Sequence, residues 1–373
     1  MNPPRSVVEL LQELVRIPSV NPSGDPGTSA GNTGEKAIAE YIASFLERCG
    51  AEATLVEVLP RRPNVIGQFP SNRSGKPGLV FAPHTDTVSV AGMTVEPFGG
   101  EISDGRVFGR GSCDTKGPMA AQLWALWENR DLIPSLGYEI WFSGLMDEEA
   151  GQAGAAAAAH SLPVAFAVVA EPTSMDIVHT HKGTLWLEIL AHGKASHSSK
   201  PQAGRNAIYT MSRAIRFIEE EIGPELSAMP DLTLGSPTVS AGLIRGGSKI
   251  NVVPDHCSLE VDIRTVPGMD HYGTKLVERF KALSPDLDVR IIKQTAPLYT
   301  DPAHLIIGAL QNTGAALIGA PWFCDAAIFA NAGIPSIAIG PGSIDQAHTA
   351  NEFIEIAALE EGAERFSKFL RAL

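Results

Sequence analysis

Gly78–Val88, which reads GLVFAPHTDTV, decides the fold, because an apolar strand there runs directly into a histidine and an aspartate. Tyr138–Asp147 (YEIWFSGLMD) and Val164–Pro172 (VAFAVVAEP) repeat the pattern of a continuous apolar run that ends in acidic residues. Continuous apolar strands separated by helices are typical of a mixed, largely parallel sheet covered by helices on both faces. The sequence therefore predicts an α/β fold of this kind.

Helical patterns flank these strands. Val7–Val15 carries apolar residues at helical spacing, and the pattern stops before Pro18. We expect a second amphipathic helix near Gly34–Cys49, a buried helix at Gly117–Glu128 and a terminal helix from Ala357.

The pattern changes between residues 179 and 293. Strands in this stretch alternate apolar and polar residues, as in GTLWLEILAHG (Gly183–Gly193), which is typical of a sheet with one face in solvent. After residue 293 the buried pattern returns. We therefore expect residues 179–293 to form an inserted α+β domain, and residues 1–178 and 294–373 to form one discontinuous main domain.

The expected insertion contains two helices. One covers residues 205–222, and the other covers Tyr272–Leu283. The spacing of the first predicts a buried face made of Ile208, Met211, Ile215 and Ile218.

Composition excludes several classes of function. A chain of 373 residues that is 44% hydrophobic and 19% charged has an ordinary globular balance and is long enough for two or three domains. The net charge of −13 disfavours nucleic acid and anionic membranes as partners. The 4 cysteines are far apart and form no CxxC pair, which indicates a reducing compartment. Without a signal-peptide pattern or a long apolar run, we expect a cytoplasmic protein.

His84 and Asp86 follow the first buried strand. Side chains two apart on an extended strand face the same way, so Asp86 can accept the second ring N–H of His84. A metal-ligating histidine commonly has such a partner. A buried His–Asp hydrogen bond without a metal explains the pair equally well.

Asp114 lies in the glycine-rich segment GRGSCDTKG, just before the expected helix at Gly117–Glu128. It is either a candidate metal ligand or the N-cap of that helix. A phosphate-binding loop is a weaker alternative, because the GxxxxGK[ST] pattern is absent.

Acidic residues end two of the buried strands. Glu148 and Glu149 follow Asp147, and Glu171 follows VAFAVVA. Adjacent carboxylates beside a buried strand are costly unless a cation compensates them or one is protonated. A solvated loop is the alternative for Glu148 and Glu149.

Two imidazoles and three carboxylates are thus predicted at element ends, where open α/β sheets build their sites. With no thiolate among them, they suit a pair of zinc ions bridged by one carboxylate. Such a centre polarises a carbonyl and lowers the pKa of bound water toward ~7, and an additional carboxylate beside it can act as the general base. The predicted set is His84, Asp114, Glu149, Glu171 and His348.

The ordered motifs resemble the M20 family of metal-dependent amidohydrolases and peptidases along essentially the whole chain. The motifs are HTDTV (84–88), GRGSCDTKG (109–117), DEEAG (147–151), EPTS (171–174) and QAHTANE (346–352). The resemblance implies that His84 and Glu171 hold one metal, that Glu149 and His348 hold the other, and that Asp114 bridges them. It also implies two zinc ions, with cobalt as a possible substitute.

The resemblance further implies roles for residues that are not ligands. Glu148 is expected to be the general base, and Asp86 is expected to orient His84. His197, in the inserted domain, is expected to reach the site of a partner subunit and stabilise the oxyanion, although a free surface histidine is the alternative. Asn251 and Arg264 are expected to bind a substrate carboxylate, although a structural surface pair is equally compatible with the sequence.

Secondary motifs resemble the acetylornithine deacetylase branch of the family. They are HKG (181–183), HSS (197–199), DIR (262–264), PGM (267–269) and GPGSIDQAH (340–348). This resemblance implies a homodimer formed through the inserted domain, which also acts as a lid. It implies hydrolysis of an N-acyl amino acid, N²-acetylornithine above all, to ornithine and acetate in arginine biosynthesis.

Other functions stay open at this stage. Those that share the chemistry are succinyl-diaminopimelate desuccinylase, deacetylase of another N-acetyl amino acid, and carboxypeptidase or dipeptidase. A non-catalytic binding protein on the same scaffold is an alternative of a different class. A nucleotide-binding oxidoreductase is disfavoured, because no GxGxxG joins a strand to a helix.

Overall fold

The computed structural model describes residues 4–23 and 29–373. Its helices are α1 Val7–Val15, α2 Lys36–Arg48, α3 Lys116–Glu128, α4 Ala153–Ser161, α5 Ala207–Phe217, α6 Gly223–Ser227, α7 Tyr272–Leu283, α8 Leu305–Gln311, α9 Ala326–Asn331 and α10 Ile356–Arg371. The N-terminal strands are β1 Glu52–Leu59, β2 Arg62–Gln68, β3 Gly78–Pro83, β4 Ile102–Ser103, β5 Arg106–Phe108, β6 Glu139–Gly144, β7 Phe166–Ala170 and β8 Ile177–His181. The later strands are β9 Gly183–His192, β10 Thr238–Gly246, β11 His256–Thr265, β12 Leu287–Thr295, β13 Leu298–Tyr299, β14 Leu317–Ala320, β15 Ser336–Ala338 and β16 Phe353–Glu355.

The chain forms two compact units. The larger unit comprises Met1–His179, Thr300–Ile318 and Cys324–Leu373, and the smaller comprises Thr180–Tyr299 and Gly319–Phe323. Within residues 4–23 and 29–373, every helix is too short or too polar to cross a lipid bilayer.

A mixed sheet forms the centre of the larger unit, with its strands in the order β1-β2-β6-β3-β7-β15-β8. The central strands β6, β3, β7 and β15 run parallel, whereas the flanking pairs are antiparallel. The α/β class with a largely parallel central sheet is therefore confirmed. The parallel arrangement matters for function, because it brings the carboxyl ends of β6, β3 and β7 to one edge.

Strand β3 is buried along its whole length. Phe81 packs edge-on against Phe366 and Phe369 of α10, with ring centroids 6.1 and 6.2 Å apart. Val80 and Ala82 point to the opposite face of the sheet and are also fully buried. Both faces of the strand that leads to His84 are thus covered.

The helices that the sequence predicted in the larger unit are present. Helix α1 begins after Ser6, whose hydroxyl accepts the Glu9 N–H at 3.1 Å, and its buried face is apolar. Helices α2 and α3 begin and end within two residues of the expected bounds. This agreement follows from the pattern of apolar residues along each helix, which is a local property of the chain.

The smaller unit is built on an antiparallel sheet in the order β10-β11-β9-β12. Its core joins this sheet to α5 and α7. The helix expected over 205–222 is α5 followed by a π-helical turn at Ile218–Ile222. Its predicted inward face is wrong at Ile208, which is 38% exposed. This side chain lies at the first turn of α5, beside the glycines at the end of β10.

Candidate metal centre

The functional side chains of the larger unit lie where parallel strands end. His84 directly follows β3, Glu148 and Glu149 follow β6 after a short turn, and Glu171 directly follows β7. Since β3 lies between β6 and β7, these residues meet at one edge of the sheet. His348 reaches the same place from a loop near the C-terminus, with its backbone in the left-handed region at φ 61°.

The Asp114 carboxylate lies between two imidazoles. Its Oδ1 is 3.1 Å from Nε2 of His84, and its Oδ2 is 3.4 Å from Nε2 of His348. The same Nε2 of His348 lies 3.1 Å from Oε2 of Glu149. One carboxylate thus presents a separate oxygen to each histidine, as a bridging ligand does.

The potential ligand atoms form two triads that share Asp114. His84, Asp114 and Glu171 make one, and Asp114, Glu149 and His348 make the other, with ligand atoms within 4.8 Å of one another in each triad. Among the described residues, a further triad joins His84, Glu148 and Glu149.

The electrostatics of the cluster favour a bound cation. Burial raises the pKa of Glu171 well above its usual range, and the charge of Asp114 adds to the rise. Burial likewise raises the pKa of Glu148, with Glu171 and Asp325 adding to it. In addition, Oε1 of Glu171 is buried without a hydrogen-bond partner among the described residues. Imidazole and carboxylate donors of this kind fit zinc or a similar divalent ion.

The two imidazoles act on Asp114 in the opposite direction. Burial alone would raise the pKa of Asp114, but hydrogen bonds from His348 and His84 lower it below its usual range. Hydrogen bonds to Asp114 and Glu149 raise the pKa of His348 to about 10. Asp114 is therefore the carboxylate of the cluster that stays ionised most readily.

Asp86 holds the turn that carries Glu148 and Glu149. Its Oδ1 accepts the Glu148 N–H at 3.0 Å, and its Oδ2 accepts the Glu149 N–H at 3.1 Å. The Nδ1 of His84 lies 2.9 Å from the backbone oxygen of Asp86, and 3.7 Å from its carboxylate. The main chain of Asp86, rather than its carboxylate, thus lies at hydrogen-bond distance from His84.

A buried polar network behind Asp86 was missed by the sequence analysis. Asn21 donates to the carboxylates of Asp86, at 2.7 Å, and Asp147, at 3.1 Å. Arg62 donates to Asp147 at 3.0 Å and pairs with the fully buried Glu35. These residues come from separate elements, and no local motif in the sequence joins them.

The segment before α3 departs from the N-cap alternative for Asp114. The N-cap position belongs to Thr115, whose hydroxyl bonds to the Ala170 carbonyl at 2.9 Å instead of capping the helix. The Asp114 carboxylate is thus left facing the two histidines.

Asp325 is a further buried acid beside this cluster. It is 0% exposed, and neither of its carboxylate oxygens has a hydrogen-bond partner among the described residues. Burial raises its pKa to about 8, with Asp86 and Asp147 adding to the rise. In the sequence, Asp325 is a single aspartate within the apolar segment FCDAAIF (323–329), and this pattern did not indicate a role for it.

The remaining predicted residues lie in the smaller unit. The segments that contain His197 and Asn251 lie side by side. The backbones of His197 and Val252 form an antiparallel β-bridge, and the Ser198 N–H donates to the backbone oxygen of Asn251 at 3.1 Å. His197 is exposed, with Nδ1 2.7 Å from the Ser199 hydroxyl. Arg264 lies on β11 and donates to Asp262 at 3.0 Å and to Thr184 at 3.2 Å.

Most of the chain matches a known protein family. Residues 80–372 match the model of peptidase family M20/M25/M40. The acetylornithine deacetylase of Proteus mirabilis is 31% identical, over 97% of this chain and 95% of its own.

The solved structures with a similar fold include two bacterial peptidases. The aminopeptidase PepT of Bacillus cereus superposes with a TM-score of 0.79 at 21% identity and covers 98% of this chain and 97% of its own. The protein YxeP of Bacillus subtilis, described as a dinuclear metal binding peptidase, superposes with a TM-score of 0.70 at 15% identity and covers 98% of each chain. At these identities, the likeness establishes the shared fold.

Divalent metal is expected to stabilise the protein. Protein stripped with a chelator should gain ~2.7 kcal/mol in free energy of unfolding at a free Zn²⁺ or Co²⁺ concentration about 100 times Kd. Differential scanning fluorimetry would show this as a rise of ~2–4 °C per kcal/mol. The gain should shrink as the pH falls, because Glu149 and Glu171, whose pKa values are raised, must lose their protons to bind metal.

A matched pair of variants controls this measurement. Asp114→Asn should lose most of the metal-dependent gain, whereas Asp131→Asn, at an exposed position, should keep it. An equal response to metal in Asp114→Asn and in the unchanged protein would contradict the site.

Proposed function

The chain belongs to peptidase family M20/M25/M40 and is a metal-dependent amide hydrolase; from this premise, we propose that it removes the acyl group from an N-acyl amino acid at a dinuclear metal centre. We propose N²-acetylornithine as the substrate, with ornithine and acetate as products. The position of Asp114 between His84 and His348 is the observation that carries the proposal.

The two triads define how the chain would hold the metals. His84 and Glu171 would ligate one ion, Glu149 and His348 the other, and Asp114 both. We propose zinc, with cobalt as a substitute, because the donors are imidazole nitrogens and carboxylate oxygens. Such a centre polarises an amide carbonyl and lowers the pKa of water toward ~7.

Glu148 is proposed as the general base and acid. It lies next to the ligand Glu149, and its carboxylate is within 4.8 Å of the ligand atoms of His84 and Glu149. In the proposed reaction, Glu148 takes a proton from the attacking water and delivers it to the leaving amine. The water oxygen bonds to the amide carbon and the C–N bond breaks, so that amide and water become a carboxylate and a protonated amine. Asp86 holds the backbone of Glu148 at the distance already described.

The substrate proposal rests on the curated relatives. Proteins 31% identical to this chain across almost its whole length are named acetylornithine deacetylase. A substrate pocket discriminates a missing or additional methylene by only ~1–3 kcal/mol. The rates of hydrolysis of related N-acyl amino acids must therefore be compared directly. Location in the cytoplasm and a place in arginine biosynthesis stay predictions.

His197, Asn251 and Arg264 are proposed to act on the substrate from the smaller unit. His197 would stabilise the oxyanion in the site of a partner subunit. Asn251 and Arg264 would bind the substrate carboxylate. The adjacent positions of His197 and Asn251 support a joint role. Arg264 would need to share its guanidinium with Asp262.

A homodimer is proposed through the face formed by β10 and α5. Among the residues that the structure describes, β10 pairs with β11 alone in this sheet, so the backbone groups along its other edge have no strand partner there. Exposed apolar side chains surround this edge, namely Ile208, Tyr209, Leu243, Ile244 and Ile250. A second copy of the chain would cover both the edge and the apolar surface.

Substrate turnover tests the proposed function. N²-acetylornithine, N-succinyl-diaminopimelate, N-acetylcitrulline and a dipeptide would each be incubated with chelator-stripped and with Zn²⁺- or Co²⁺-restored protein, and amine release would be measured. We expect metal-dependent turnover with the highest kcat/KM for N²-acetylornithine. Preference for another member would replace the substrate, and stoichiometric metal without turnover would favour the non-catalytic binding protein.

Glu148→Gln tests the proposed base. The amide keeps the shape of the side chain but cannot take a proton, so kcat should fall ~10²–10⁴-fold while two metal equivalents stay bound. Kinetics and metal analysis would measure both quantities. Glu101→Gln, at an exposed position, should keep normal activity. Near-normal turnover by Glu148→Gln would refute the assignment.

Ile244→Asp tests the dimer. Ile244 lies on edge strand β10 and is 51% exposed, and a charge there should give a monomer in sedimentation velocity. Ile292→Asp is the matched control, because Ile292 lies on the opposite edge strand β12 and is 47% exposed. If the partner's His197 serves the site, only the Ile244 variant should lose both dimer and activity. A dimer that persists in Ile244→Asp would refute this interface.

A further inference from the structure

Glu352 is a buried acid with no role in the proposed catalytic steps. Its side chain is 0% exposed, yet its carboxylate accepts several hydrogen bonds. Oε1 accepts the N–H groups of Cys113, at 2.9 Å, and Asp114, at 3.0 Å. Oε2 accepts the Gly111 N–H at 3.0 Å and Arg110 Nη1 at 2.7 Å.

These donors all come from the glycine-rich segment GRGSCD (109–114). Gly109 and Gly111 have φ values of 139° and 79°, which side-chain-bearing residues rarely adopt. With these angles, the N–H groups of Gly111, Cys113 and Asp114 all turn toward one carboxylate, as in backbone concavities that bind anions. The anion here is the carboxylate of Glu352 from the same chain, and it occupies the place that a phosphate would take in a phosphate-binding loop.

The same contact joins two loops that carry ligands. Glu352 lies four residues after His348, and its backbone oxygen also accepts the Gly109 N–H at 3.1 Å. The segment that carries His348 is thereby fixed to the backbone of Asp114 itself. This anchor matters because the side chain of His348 is 54% exposed, so burial alone does not fix its position.

We propose that Glu352 is a positioning residue that sets the distance between Asp114 and His348 and so builds the metal triad that contains Glu149. The proposal rests on the dinuclear centre of the proposed function. Both oxygens of Glu352 must accept, because each faces two N–H donors. If an NH₂ group replaced one oxygen, as in Glu352→Gln, its N–H bonds would face the N–H donors of the glycine-rich segment. This repulsion would displace one of the two loops.

Glu352→Gln tests this role with the full-length protein. We expect the variant to fold but to bind the second metal ~10–100-fold more weakly than the unchanged protein, because partners that orient ligands have effects of this size. Isothermal titration with Zn²⁺ would give both affinities, and the visible absorption of bound Co²⁺ would report the altered ligand geometry. We also expect kcat to fall more than KM changes.

Two controls separate positioning from general stability. Glu355→Gln removes a carboxylate three residues later, which pairs with Arg106 at 2.8 Å near the surface, and it should leave both metal affinities unchanged. Arg110→Met removes a charge partner of Glu352 but leaves the backbone donors, so it should lower the melting temperature and keep two metals. If Glu352→Gln does not fold, Glu352→Asp, which keeps the charge but shortens the reach, should show the same selective loss.

The outcomes are distinct. Two metals with unchanged affinities and an unchanged Co²⁺ spectrum in the folded Glu352 variant would overturn the inference. The inference would also be overturned if the Glu352 variant lost only stability, by as much as Arg110→Met does, and kept both metal affinities. If the unchanged protein binds no second metal, the proposed function fails first, and this is seen before any variant is made.

Discussion

The structure depends on one electrostatic constraint, which is the repulsion among carboxylates held together at one buried edge of a sheet. Asp114, Glu148, Glu149 and Glu171 meet there, and Asp325 lies beside them. Burial disfavours their charged forms and raises the pKa of most of them, so without a cation the cluster costs free energy. A divalent metal bound at the proposed centre would offset this cost. The proposed site would thus lower the stability of the metal-free chain and raise its affinity for metal.

Such a cluster keeps its shape only if something other than its own members holds it. Asp86 and Glu352 do this in the same way, since each carboxylate accepts adjacent backbone N–H groups of a turn that carries proposed ligands. The turns are thus fixed through their main chain, which leaves the side chains of the proposed ligands free to face inward. Behind Asp86, the pair of Arg62 with Glu35 and the amide of Asn21 extend this support into the core. Acidic residues thereby serve two different purposes within one small volume.

The smaller unit follows a different principle. Its sheet has one covered face and two edges, and β10 leaves backbone donors and acceptors as well as apolar side chains exposed. His197 and Asn251 lie in neighbouring segments of this unit. Residues proposed to contact substrate are therefore carried by the surface that is also proposed to bind a second copy, so assembly and activity would be linked through the same elements.

The sequence by itself determined the buried strands at the centre of the sheet, the helices α1, α2, α3, α7 and α10 and the residues that follow the strands, because periodicity and turn residues act over a few neighbours. Continuous apolar runs predicted the buried strands β3, β6 and β7, and acidic residues after them marked the cluster. The inward position expected for Ile208 was wrong. Helical spacing predicts which side of a helix is apolar, but it does not show how far along the helix a neighbouring element covers that side. Tertiary structure alone decided that Glu352 fills the glycine-rich loop, that Asp86 holds Glu148 rather than only His84, and that Arg62 and Glu35 stand behind them. These contacts join residues distant in the chain, and only the packing of the whole sheet brings their atoms to hydrogen-bond distance.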